Sequence, residues 1–153
     1  MNTIKAQKEI FNAMLKHNRV AKFEVDERSV FITPDGYHGF VIPLADIQVN
    51  LEKLKNMHKI DLQAIVHEKN LCKLSMECVR DERCGRNEYY RKLKNDKFNV
   101  YISEKFLSCF QNPKFYATSS SSSVVVTEDI TGKMLNQIVG LICPVRISEE
   151  EIF

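Results

Sequence analysis

The amino-acid sequence predicts an α+β fold, and three observations predict it. Between Gln7 and His17 apolar residues recur at helical spacing, with Ile10, Phe11, Met14 and Leu15 on one buried stripe. From Val20 the period drops to two, Ala21, Phe23 and Val25 alternating with Lys22 and Glu24, which is the pattern of a strand with one buried face. From Phe98 the order strand, helix, strands begins again, so the chain predicts an approximate internal repeat.

Each element has a local reason. Thr3-Ile4-Lys5-Ala6 predicts a short opening strand, and residues 7–17 predict the first helix. Asp26-Glu27-Arg28-Ser29 supplies the turn before Val30-Phe31-Ile32-Thr33. Pro34-Asp35-Gly36 is a further turn, because proline presets φ and glycine accepts φ above zero, and a third strand follows over 37–44. Residues 50–60 are lysine-rich with Leu51 and Leu54 on one side, a short helix or a crossover connection. Strands are predicted at 61–67 and 71–79, with Glu68-Lys69-Asn70 turning between them. Residues 80–97 are the most charged stretch, either a mobile loop or a solvated hairpin extension. In the second half Phe98-Asn99-Val100-Tyr101-Ile102 reads as a strand, and Ser103 caps a helix whose buried side is Phe106, Leu107 and Phe110. The closing strands fall at 114–116, 121–127 and 137–146, the serine run 119–123 forming a loop tip that enters its strand.

Composition narrows the function classes. A chain of 153 residues predicts one domain, 1–153, divided into a first half (1–50), connecting strands and charged loop (51–97), a second half (98–147) and an acidic tail (148–153). Apolar content of 44% and charged content of 27% exclude wholesale disorder. A net charge of +2 gives little long-range pull on phosphates, so nucleic-acid contact requires a local basic face. No apolar run reaches the ~18 residues that a membrane-spanning helix needs. Five cysteines, an odd number without a Cys-x-x-Cys pair, predict free thiols in a reducing cytoplasm. The spacing of Cys78 and Cys84 does not match short zinc knuckles, and no metal is predicted. His17, His38, His58 and His67 lie in different elements without a nearby Asp or Glu at a telling spacing, and no glycine-rich phosphate loop or nucleophile motif occurs, so neither catalysis nor a cofactor is predicted. The cations from Arg80 to Lys97, with Tyr89 and Tyr90 among them, read as a charge-rich surface because Asp81, Glu82, Glu88 and Asp96 dilute them.

One series of residues carries a resemblance. Phe98-Asn99-Val100, Glu104-Lys105-Phe106-Leu107, Ser121-Ser122-Ser123-Val124-Val125-Val126, Glu128-Asp129 and Pro144-Val145-Arg146-Ile147, in that order, resemble the last repeat of the bacterial sliding clamp, the ring-forming β subunit of the replicative DNA polymerase. The resemblance implies a DNA-clamp-like domain of two β-α-β-β-β units, its two helices packed on antiparallel sheets, and a replication accessory that forms homo-oligomers. In the family the closing strand ends in a methionine-proline-methionine-arginine-leucine type of segment beside the pocket for polymerase and clamp-loader peptides. Here Cys143 stands at the first methionine, and Cys143, Pro144, Val145 and Arg146 become the implied partner-peptide pocket, which the tail 148–153 would either cover or leave for a neighbouring one. Helices lining a ring would turn Lys8, Asn12, Lys16, Arg19 and Lys105 toward double-stranded DNA. Against this stand a solvated helix face for those residues, a clamp-fold adaptor or inhibitor that never encircles DNA, and an unrelated small α+β enzyme or regulator.

Overall fold

The computed structural model describes residues 1–16, 19–77, 89–129 and 136–146. Helix α1 (Thr3–Lys16) leads into a meander of β1 (Ala21–Glu24), β2 (Ser29–Thr33) and β3 (His38–Pro43). Two 3-10 turns, Leu44–Asp46 and Leu51–Lys53, then pass to the two-residue β4 (Lys55–Asn56) and the short α2 (Leu62–Val66). A hairpin of β5 (Cys72–Met76) and β6 (Tyr90–Lys94) follows, then β7 (Asn99–Ser103) and a 3-10 turn, Glu104–Leu107. A second meander closes the chain: β8 (Lys114–Ala117), β9 (Val124–Asp129) and β10 (Asn136–Ile142). The fold is α+β, with ten strands in the single order β4-β1-β2-β3-β10-β9-β8-β5-β6-β7. Every pairing is antiparallel except that of β1 with β4, which makes the sheet mixed.

The two meanders mirror each other across the β3–β10 pair, where Phe40 faces Gly140 and His38 faces Ile142. Glycine is required at this seam. A Cβ on Gly140 would lie 2.7 Å from the Gly39 carbonyl oxygen and 2.8 Å from the Phe110 ring, and one on Gly39 would lie 2.2 Å from the Phe31 ring. The row also bends back on itself. Val145, three residues past β10, donates its N–H to the Tyr101 carbonyl of β7 at 2.7 Å, although β9, β8, β5 and β6 stand between them in the row.

Alternation along the central strands sorts the core into two clusters. Val30 and Ile32, Phe40 and Ile42, and Val124 and Val126 pack on one face with Ala6 and Ile10 of α1 and with Phe106 and Phe110. Their neighbours Phe31, Val41 and Val125 pack on the other with Phe23, Leu141 and Leu62 of α2. Burial on both faces explains why these strands read as unbroken apolar runs, since neither side needs to meet water. The 57–66 segment supplies the second cover, with Met57, Ile60 and Ile65 at its margin.

Several expectations are corrected. The opening strand at 3–6 is helix: the Asn2 side chain accepts from Lys5 N–H at 3.0 Å, and this N-cap outweighs the β-branched Thr3 and Ile4. Residues 61–67 are not a strand but α2, because Asp61 Oδ1 accepts from Ala64 N–H at 3.1 Å and puts Leu62 and Ile65 on one helical face. The second helix is a single 3-10 turn, and Ser103 makes no side-chain cap. Pro113 disfavours helix just before itself, leaving too few residues after Ser103 to repay helix nucleation. Phe106 and Phe110 are nevertheless buried, as expected. Residues 50–60 hold a 3-10 turn and β4. Within the charged stretch, Tyr90–Lys94 is a hairpin strand; 78–88, with Cys78 and Cys84, lie outside the described residues, as do His17, Ile147 and the tail 148–153. The closing strand ends at Ile142, so Pro144, which has no N–H to offer a ladder, sits beyond the sheet.

Candidate functional site

Helix α1 carries the surface on which charge and apolar area meet. It buries a narrow face, Ala6, Gln7 and Ile10, with Ala13 and Met14 at the margin. Phe11 and Leu15, expected inside, point outward with 54% and 73% of their surface exposed, and Ile4 joins them at 72%. Each helical step turns about 100°, so residues one position past Ile10 and Met14 leave a contact face this narrow. Lys8, Asn12 and Lys16 are exposed on the strip beside them. Arg19 is exposed beyond the helix. Lys105 belongs to the other helical segment, with its ammonium 5.2 Å from the Phe106 ring centroid. The structure thus groups Lys8, Asn12 and Lys16 on one helix, whereas Lys105 sits on the 3-10 turn Glu104–Leu107.

A groove of about 560 Å³ runs between α1 and the loop that follows β3. Ile4, Phe11, Met14 and Val49 line it, with Lys8 on the helix side and Lys53 on the loop side. Gln7 holds the two walls together: its Nε2 donates to the Asp46 carbonyl at 2.8 Å, and its Oε1 accepts from Gln48 N–H at 2.6 Å and Val49 N–H at 3.3 Å. A buried glutamine facing three backbone groups gives the groove a fixed shape.

A second set of polar groups lies under α1. His38 Nε2 meets Glu9 Oε1 at 2.6 Å and Nδ1 meets Asp35 Oδ1 at 3.0 Å, while the ring stacks on Phe106 at 4.1 Å between centroids. Burial opposes charge on His38, but the bonds and fields of Asp35 and Glu9 outweigh it, and the pKa is raised. For Asp35 burial likewise opposes ionisation and His38 overcomes it, so the carboxyl is held below its usual value. Cys109 donates to Glu9 Oε2 at 3.3 Å, and burial followed by Glu9 pushes its thiol up to about 11. With both ring nitrogens engaged and the thiol held protonated, this set fastens elements together and presents no activated nucleophile. The Asp35–His38 spacing of three residues was the available sequence signal; Glu9, 29 positions away, had none.

The residues of the implied peptide pocket lie just past β10. Cys143, Pro144 and Val145 are half-buried and Arg146 is exposed, in an extended segment held by Cys143 N–H on the Tyr37 carbonyl and Val145 N–H on that of Tyr101, each at 2.7 Å. These residues do not line the groove along α1. Among the described residues no group of His, Cys, Asp or Glu has the arrangement of a metal site, and no helix is long and apolar enough to cross a membrane. No protein family, curated protein or solved structure matches the chain.

Proposed function

We propose that the chain is a non-ring, clamp-type interaction adaptor of the replication machinery, working by protein contact. The observation that carries this reading is the pair of mirrored meanders with α1 packed on the core they share. The mirror supports the duplicated plan of a sliding-clamp domain. Helix α1, with Ile4, Phe11 and Leu15 exposed, favours a protein partner over a channel, since a duplex gains nothing from apolar side chains set among the cations.

The exposed strip of Lys8, Asn12 and Lys16 favours a second reading, contact with double-stranded DNA. Light scattering together with binding of a duplex oligonucleotide separates the two. The adaptor is expected to have a mass below that of a six-domain assembly and to bind duplex weakly, with an affinity that collapses as salt rises. A six-fold assembly retained on circular DNA and released on linearisation would reinstate the ring. Charge reversal at Lys8, Lys16 and Lys105 together tests the helix face in either case.

A further inference from the structure

The groove along α1 has a chemistry that selects its occupant. Its lining combines apolar Ile4, Phe11, Met14 and Val49 with Lys8 and Lys53, and among the described residues no carboxylate lines it. The two lysines belong to opposite walls, one on α1 and one on the 3-10 turn Leu51–Lys53, so a ligand lying between the walls has a cation available on each flank. Beyond the groove the exposed Leu15 continues the apolar line set by Ile4 and Phe11 along roughly 16 Å of helix, about three turns. Gln7 already uses Gln48 N–H and Val49 N–H, so the loop wall offers a ligand side chains and not a free strand edge.

We propose that this groove receives an acidic amphipathic helix of a partner protein. Its apolar side chains, three and four residues apart, fill the space over Phe11, Met14 and Val49. Its flanking carboxylates pair with Lys8 and Lys53. A helix matches because the apolar line is straight and three turns long, with lysines as the charged side chains that line the groove, although Glu52 stands next to Lys53 on its turn; these suit helix-in-groove recognition. A nucleic-acid backbone matches only the lysines and leaves Ile4, Phe11 and Leu15 in water. The inference rests on the adaptor reading and adds to it where the partner sits and what charge it carries.

The test uses the full chain and two synthetic helical peptides of about fifteen residues with the same leucine spacing, one flanked by glutamates and one by lysines. Fluorescence anisotropy is expected to show micromolar binding of the acidic peptide and at least about tenfold weaker binding of the basic one. Phe11→Ser, at an exposed position, is expected to leave the circular dichroism spectrum unchanged and to weaken the acidic peptide about tenfold. The double variant Lys8→Glu, Lys53→Glu is expected to reverse the preference. Equal binding of the two peptides, or none, overturns the assignment. So does an acidic peptide displaced by duplex DNA and indifferent to Phe11→Ser, which would give the lysines to phosphates. A chain of sub-ring mass that ignores the acidic peptide would keep the adaptor and lose the groove; a ring that binds it would do the reverse.

Discussion

His38 has the most consequential environment of any single side chain here. Buried between Glu9 of α1 and Asp35 of the β2–β3 turn, it ties the helix to the sheet through one imidazolium. Because folding raises its pKa, its contribution is complete below the unfolded value of ~6.5 and is lost as pH rises through the higher folded value. Asp35 has the opposite sign: its lowered pKa contributes above ~3.9, and that contribution disappears as pH falls through the folded value. The clip is therefore strongest at roughly pH 5 to 6. Urea unfolding of the wild-type chain and of His38→Gln is expected to differ by about 3 kcal/mol there, the gap narrowing toward alkaline pH. A gap that does not change with pH would mean that the charge on His38 contributes nothing. Cys109, with its thiol pushed up to about 11, is expected to resist alkylation until the chain unfolds.

Among the elements, α1 and the loop after β3 behave as one unit because of Gln7. Replacing Gln7 with Ala removes a donor and an acceptor that serve three backbone groups. The expected cost is about 2 kcal/mol, with faster hydrogen exchange at the Gln48 and Val49 amides; unchanged protection would show that other contacts hold the loop. Much of the element order was legible from short-range pattern. Pro34-Asp35-Gly36 is a turn with Gly36 at φ 85°, Val124-Val125-Val126 is a strand, and Phe106 and Phe110 are core. What escaped was set by partners distant in sequence or by caps. Phe11 and Leu15 are apolar at helical spacing, and nothing local says that the sheet receives only a face centred on Ala6 and Ile10. Residues 61–67 read as a strand from the polar–apolar order of Asp61, Leu62, Gln63 and Ala64, whereas the Asp61 cap favours the helix that forms. The groove needs α1 beside residues 48–53, about forty positions away, and so was invisible to any window of sequence.

At the scale of the whole molecule the two meanders share one core. Ile32, Phe40 and Ile42 from the first and Val124, Val126 and Ile142 from the second belong to the same cluster, joined at the β3–β10 seam. Denaturant unfolding is accordingly expected to be a single transition, with amides of β2 and β9 exchanging at the same opening free energy; two separate transitions would make the halves independent. The bond from Val145 to Tyr101 bears on how copies of the chain meet. A sheet whose last strand is met by its own backbone offers a newcomer little to template on. At the opposite end, β4 offers two residues, Lys55 and Asn56, one of them charged. Fibril growth by strand addition thus finds short or occupied footholds at both ends of the row, and the many valines and phenylalanines of the centre stay out of its reach.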